Sequence, residues 1–130
     1  MRDAVVYHSP ERMGFSVAAS REPYFLTNKR VAPDAVGTRV WLLTGEGRPR
    51  RYWLRGTFTV ARVESGADED FRLRVWGDDA RWLEPMVDVT DAEWFGALRR
   101  SQGGFAFGFQ TIADPRLVRA LEGAAGLRGA

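Results

Sequence analysis

The chain has 130 residues, of which 45% are hydrophobic and 28% are charged, values typical of one soluble globular domain. Because it contains no cysteine and only one histidine, disulfides, thiol catalysis and zinc sites built from thiolates or several histidines are excluded. No apolar run approaches the length of a membrane span, and the run at residues 4–7 is too short for a signal peptide. We therefore expect one domain over residues 1–130, with residues 123–130 as a frayed tail, in the cytoplasm and without membrane contact.

The net charge of +2 conceals an uneven distribution along the chain. Residues 1–62 carry 11 basic and 5 acidic side chains, whereas residues 63–96 carry 3 and 10. Of the 19 basic residues, 18 are arginine, whose planar guanidinium binds phosphate through two hydrogen bonds and stacks on bases. A GC-rich genome would produce the same arginine excess without any functional reason, so composition alone leaves both explanations open.

The first half of the chain is predicted to be rich in strands. Residues 3–7 and 23–27 have the β-branched and aromatic composition of short strands. The runs 38–44 and 51–63 are separated by the turn-rich segment 45–50, a pattern typical of a β-hairpin.

The second hairpin strand carries two further signals. Side chains alternate between the faces of a strand, so residues 51–63 are predicted to have one solvated side and one apolar side. The apolar side is formed by Tyr52, Leu54, Phe58 and Val60. Gly56, in the middle of the run, predicts a bulge or a sharp bend.

The second half of the chain mixes strands and helices. Residues 71–76 alternate as a strand does, and the three phenylalanines of segment 103–109 predict a later strand. Thr90–Glu93 resembles a helix capping box, and Asp114–Pro115 opens a second helix. These elements predict an α+β fold, a small, partly open barrel of about five to six strands with two flanking helices.

Few residues indicate catalysis or metal binding. Histidine is the commonest general base in enzymes, so His8 is a candidate, but the sequence alone does not place a nucleophile beside it. The acidic groups 68–70 and 78–79 lack the spacing of a calcium loop and are typical of solvated turns. We predict no catalytic residue, no metal and no cofactor.

The segment Arg48–Arg55 interleaves arginines with aromatic rings. Guanidinium groups pair with phosphates, and an exposed ring offers a stacking surface for an unpaired or flipped base. The alternative interpretation is a hairpin edge that is protected from aggregation by its charge, with Tyr52 in the core.

The order of these elements resembles the PUA-like superfamily, and within it the EVE and ASCH branch. The resemblance rests on the N-terminal strand and polar loop VVYHSPERMG, on Val36–Val40 before a strand, on Gly56–Val60 within the next strand, and on an LEPMV segment leading toward a helix. It covers most of residues 3–112. The sequence departs from the pattern at Thr38, where an acidic residue is usual, and it contains no nuclease domain.

The resemblance implies a nucleic-acid-binding barrel that accepts a modified or flipped base in an aromatic-lined pocket, often in bacterial defence or restriction systems. On this basis we predict a non-enzymatic module that binds nucleic acid, with DNA favoured over RNA and with a separately encoded nuclease as a possible partner. The predicted pocket consists of Tyr7, His8, Ser9, Phe25, Asn28, Trp41 and Trp53. The predicted phosphate-facing rim consists of Arg12, Lys29, Arg30, Arg48, Arg50 and Arg51.

Two alternatives of other classes remain open at this point. One is a small hydrolase or small-molecule-binding enzyme that uses His8 with a carboxylate such as Glu11 or Glu46. The other is a protein-interaction domain that joins a larger complex through its apolar rings.

Overall fold

A computed structural model of the chain describes residues 2–14, 16–19, 21–27, 35–66, 72–105 and 109–127, without the side chains of Arg12 and Ala19. The strands are β1 (Asp3–His8), β2 (Tyr24–Thr27), β3 (Arg39–Glu46), β4 (Arg51–Ser65), β5 (Leu73–Asp88) and β6 (Phe109–Thr111). The α-helices are α1 (Pro10–Met13), α2 (Phe95–Ser101) and α3 (Pro115–Ala124). Single 3-10 turns lie at Val17–Ala19 and Gly103–Phe105.

The six strands form one curled, mixed sheet in the order β2-β5-β4-β3-β1-β6, shaped as a half-barrel. β1 and β3 are parallel, and every other pair in the order is antiparallel. Two helices longer than one turn, α2 and α3, accompany the sheet. The predicted α+β class and strand number are therefore confirmed.

Both faces of the sheet carry an apolar core. On one face lies the strand cluster, which includes Val6, Leu42, Phe58 and Val75 and is completed by Val17 from the first 3-10 turn. On the other face lies the helix cluster, in which strand residues pack against α2 and α3. Its buried members include Val5, Trp41, Leu43, Leu54, Phe95, Leu98, Leu117 and Leu121. Side chains that alternate along a strand therefore enter two different cores.

β4 changes face in its middle. Tyr52 and Leu54 belong to the helix cluster, whereas Phe58 and Val60 belong to the strand cluster. Simple alternation would place all four on one side of the strand. The prediction of one apolar and one solvated side is therefore wrong.

The change of face results from a bulge at the predicted position. In the pairing of β3 with β4, Leu42 lies opposite Gly56 but Leu43 lies opposite Leu54, which leaves Arg55 as an extra residue. On the other side of β4, four residues of β5, 83–86, lie opposite the single residue Arg55, because Leu54 pairs with Val87 and Gly56 with Trp82. An inserted residue reverses the alternation beyond it. The bulge predicted at Gly56 is confirmed.

Other local predictions had mixed outcomes. Asp114 caps α3 as predicted, since its carboxylate accepts a hydrogen bond from the Arg116 N–H at 2.9 Å. The predicted capping box is wrong, because α2 begins at Phe95 and the Thr90 hydroxyl instead accepts a bond from the Tyr52 N–H at 2.7 Å. Of the predicted strand 103–109, Phe105 lies in a 3-10 turn and Phe109 begins β6, while Phe107 lies outside the described residues.

β5 and α3 both end later in the chain than predicted. β5 is much longer than the predicted strand 71–76 and includes the LEPMV segment that was expected to lead toward a helix. Residues 123–124 form the last part of α3 rather than a frayed tail, and residues 128–130 lie outside the described residues. Among the described helices, none is long and apolar enough to cross a membrane.

Replacing Gly56 should test how tightly the bulge is packed. A methyl group at this position would overlap the backbone carbonyl of Arg81 and lie 3.2 Å from the Cα of Trp82. We expect Gly56→Ala to lower the free energy of unfolding by about 2 to 3 kcal/mol, measured by urea denaturation. Gly96→Ala is the matched control: its methyl would meet only the mobile end of Arg100, and alanine favours the helix by about 1 kcal/mol. Equal stability of the two variants would contradict this account of the bulge.

Candidate functional site

A cleft of about 590 Å³ opens where the bulges of β4 and β5 meet the first 3-10 turn. The cleft lies on the strand-cluster face of the sheet, at the end of the apolar core that is near the turn between β3 and β4. The residues that line it and matter for its chemistry are Arg21, Glu46, Trp53, Arg55, Glu84 and Met86. Two guanidinium groups, two carboxylates and an indole ring thus share one cavity of a size that suits a small ligand.

Arg55, the extra residue of β4, forms the floor of this cleft. Its side chain is only 1% exposed, and burying a charge is costly unless its donors are bonded. Arg55 donates to the carbonyl oxygens of Val17 at 3.2 Å and Leu83 at 3.0 Å, and to a carboxylate oxygen of Glu84 at 3.3 Å. Because these partners come from the 3-10 turn and from β5, Arg55 holds the two walls of the cleft together.

Glu84 is neutralised by two arginines. The oxygen that accepts from Arg55 also lies 2.7 Å from a guanidinium nitrogen of Arg21. Arg21 is 63% exposed and Glu84 is 47% exposed, so their pair is at the mouth of the cleft and is screened by water. The negative charge of Glu84 is therefore compensated by Arg55 at the floor of the cleft and by Arg21 on the solvent side.

Glu46 is held by hydroxyl groups. The Ser16 hydroxyl lies 2.9 and 2.7 Å from its two carboxylate oxygens, and the Thr44 hydroxyl lies 3.2 Å from one of them. Thr44 is fully buried, and its hydroxyl is also 3.0 Å from the carbonyl oxygen of His8. These contacts fix the Glu46 carboxylate on the cleft wall.

Trp53 is the predicted stacking residue that lines the cleft. It lies opposite Thr44 in β3 and Asp88 in β5, so it projects from the strand-cluster face beside the wall that carries Glu46. Its side chain is half-buried. One predicted pocket residue is therefore placed at the cleft.

Tyr7 and His8 cannot line one pocket together. They are consecutive residues of β1, so their side chains leave opposite faces of the sheet. Tyr7 packs within the helix cluster, its ring stacked on Phe105 with a centroid separation of 4.9 Å, and burial raises the pKa of its phenol. His8 lies on the face of the strand cluster, paired with Thr44. The structure thus corrects the predicted grouping.

Two other predicted pocket residues are core side chains. Phe25 is buried in the strand cluster and stacks on Phe109 at 5.3 Å. Trp41 is fully buried in the helix cluster and donates its indole N–H to Asp3 at 2.9 Å. Neither ring has a face open to a ligand, which corrects their assignment to the pocket. Ser9 follows β1 and its carbonyl accepts from the Met13 N–H, while Asn28 lies outside the described residues.

The predicted phosphate-facing arginines differ in their surroundings. Arg48 is exposed in the turn between β3 and β4, next to Gly47, which lines the cleft. Arg50 donates to Glu11 at 2.8 Å. Arg51 donates to Asp88 at 2.5 Å and to Asp91 at 2.7 Å. Lys29, Arg30 and the side chain of Arg12 lie outside the described residues.

The sequence interpretation missed Arg21, Arg55 and Glu84 as parts of the site, and it named Glu46 only as a partner for His8. One signal was available for Arg55, since a charged residue directly before Gly56 in an apolar strand marks an interrupted alternation.

Within the described residues no group of three or more histidine, aspartate or glutamate side chains could hold a metal ion. No family model, curated protein or solved structure matches the chain.

Removing the guanidinium of Arg55 should loosen the walls of the cleft. In Arg55→Met the carbonyls of Val17 and Leu83 lose a donor, and an unsatisfied buried acceptor is destabilising. We expect a loss of about 2 to 4 kcal/mol in the free energy of unfolding by urea denaturation. The control is Arg62→Met, because Arg62 is 62% exposed and its replacement should change stability by less than about 0.5 kcal/mol. If Arg55→Met were as stable as the control, the carbonyl bonds would have no structural role.

The Arg51–Asp88 pair predicts an acid-dependent contribution to stability. The hydrogen bond from Arg51 lowers the pKa of Asp88 from 3.8 to about 2, so the stabilisation is present above about pH 4 and lost as the pH falls through about 2. Asp88→Asn keeps an oxygen for the Thr90 N–H but removes the charge. We expect this variant to have a slightly lower Tm near neutral pH and a shallower fall in Tm between pH 4 and 2. A parallel Tm profile for the variant and the parent chain would contradict this assignment.

Proposed function

We propose that the protein is a nucleic-acid-binding module that receives one unpaired or flipped base in the cleft, against the ring of Trp53. The single observation that supports this most is that Trp53 lines a cleft of about 590 Å³ on the same hairpin as the exposed Arg48. A base–indole contact contributes about 1 to 3 kcal/mol, and an exposed guanidinium close by supplies a phosphate contact.

The charges divide the site into two parts. Within the cleft, the positive charges of Arg21 and Arg55 are accompanied by the negative charges of Glu46 and Glu84, so a phosphate group gains little there. At the hairpin turn, Arg48 is exposed to solvent. The base therefore occupies the cleft, and the phosphates that flank it follow the turn.

The PUA-like identity belongs to the same proposal. A curled mixed sheet of six strands with two helices is compatible with that superfamily, and its readers place a base in a cavity of the barrel. The preference for DNA, the recognition of a modified base and a role beside a separately encoded nuclease are the parts of the proposal that rest on this resemblance alone.

Binding measurements on two tryptophan variants test the proposal. The parent chain should bind a labelled single strand of about 12 nucleotides in an anisotropy titration, with an affinity that falls as salt is raised. Trp53→Ala should bind about 10-fold more weakly with the same salt dependence, and Arg48→Gln should reduce the salt dependence by about one phosphate contact. Trp76→Ala is the matched control, since Trp76 lies beside Arg62 at the other end of β4 and β5. The proposal fails if no oligonucleotide binds in a salt-sensitive way, or if Trp53→Ala binds as the parent does.

A further inference from the structure

Two tyrosine hydroxyls lie unpaired on the face of the sheet opposite the cleft. Tyr7 and Tyr52 belong to the helix cluster, with ring centroids 6.2 Å apart. Among the described residues no group forms a hydrogen bond with either hydroxyl, and neither oxygen is one of the fully buried polar atoms that lack a partner. Both hydroxyls therefore reach solvent and are able to bond a ligand. Burial raises the pKa of the Tyr7 phenol, so this group keeps its proton at neutral pH and can donate.

The same hydroxyls lie close to an arginine of the hairpin turn. Gly45 pairs with Tyr52, and because it has no side chain, the Tyr7 hydroxyl occupies the space where a Cβ atom would be. The Cδ of Arg50 lies 3.1 Å from that position, and the Cε1 of Tyr52 lies 3.2 Å from it. Gly45 therefore brings two phenols and the stem of one guanidinium together at one point of the structure.

A second arginine approaches this point from α2. The guanidinium carbon of Arg99 lies 5.1 Å from the centroid of the Tyr52 ring, and Arg99 is exposed. No described carboxylate lies within ion-pair distance of Arg99. Arg50 uses one N–H in a bond of 2.8 Å to Glu11, whose side chain is 74% exposed. Two cations thus share one solvated anion, and most of their N–H donors have no partner among the described residues.

We propose that a phosphate-binding site, the phenol site, lies on the helix-cluster face beside the hairpin turn. It consists of Tyr7, Arg50, Tyr52 and Arg99. The charged oxygens of a phosphate accept from guanidinium and hydroxyl donors, and such bonds are stronger than bonds between neutral groups. Arginine offers no acceptor, so a base edge that presents N–H groups would fit this site less well.

For the source of the phosphate, this inference rests on the proposed function. Glu46, on the cleft wall, and Gly45, at the phenol site, are consecutive residues of β3. A strand whose base enters the cleft and whose backbone follows the turn at Arg48 therefore reaches the phenol site with a neighbouring phosphodiester. A free phosphate ion presents the same oxygens, and inorganic phosphate is the probe for that second source.

Removing the two hydroxyls tests the phenol site without removing a ring. Tyr7→Phe/Tyr52→Phe loses no hydrogen bond within the described residues, so its Tm should stay within about 2 °C of the parent's. In anisotropy titrations with a labelled single strand of about 12 nucleotides, the double variant should bind about 10-fold more weakly, because the lost donors face a charged oxygen. Its salt dependence should equal the parent's, because a phenol carries no charge. Tyr24→Phe is the matched control, since Tyr24 lies beside Trp76 at the other end of β5.

Two charge variants should act in opposite directions. Arg99→Gln should weaken binding and reduce the salt dependence by about one phosphate contact. Glu11→Gln should strengthen binding by about 3-fold, because it releases Arg50 from a competing carboxylate. A weaker affinity of Glu11→Gln would contradict the assignment of Arg50 to the phenol site.

Thermal unfolding in millimolar inorganic phosphate separates the two sources. A Tm that rises for the parent but not for the double variant would support the phenol site with a free phosphate as its ligand. Equal affinity of the double variant and the parent for the labelled strand, with binding that still depends on Trp53 and no effect of phosphate on either Tm, would overturn the phenol site and leave the proposed function standing. The absence of binding to every strand would overturn the proposed function, and the phosphate measurement would then decide the phenol site by itself.

Discussion

The buried guanidinium of Arg55 is the interaction on which the rest of the structure depends. A charge with an exposed fraction of 1% persists because its donors are bonded, with two backbone carbonyls and a carboxylate among their partners. At Arg55, β4 has one residue more than β3, and β5 has three residues more than β4. The residue that forms the bulge in β4 is therefore also the residue that carries the buried charge.

The bulge at Arg55 divides the apolar side chains of β4 between the two cores and leaves room for the cleft on the strand-cluster face. Before Arg55, the apolar side chains of β4 pack against α2 and α3; after it, they pack into the strand cluster. The strand-cluster face of the first part of β4 is thus left to polar groups and to Trp53. Arg55 supports the cleft from below, while Trp53 remains available to a ligand. The hydrogen bonds that compensate the buried charge also fix the walls of the cavity.

Predictions from the sequence were right for features that depend on neighbouring residues. They were wrong for features that depend on contacts with distant segments of the chain. Gly56 marks the bulge and Asp114 caps α3, because the signal in each case is local. Trp41 and Phe25 were assigned to a pocket by residue type, yet which rings are covered depends on helices and strands far away in the chain. Tyr7 and His8 were grouped although alternation along β1 already separates them. The partners of Arg55 lie 38 and 28 residues away, so the floor of the cleft could not be inferred from spacing.

The parallel pairing of β1 has a consequence for how the chain is assembled. β1 lies inside the sheet, where Val5 pairs with Trp41 on one side and with Gln110 on the other. On a ribosome the segment that covers the second edge of β1 is made long after β1 itself, so a nascent chain carries an open, apolar strand edge until residues 109–111 emerge. Such an edge is a template for pairing with other polypeptides. Pairing with the three residues of β6 closes this edge of β1 once they have been made.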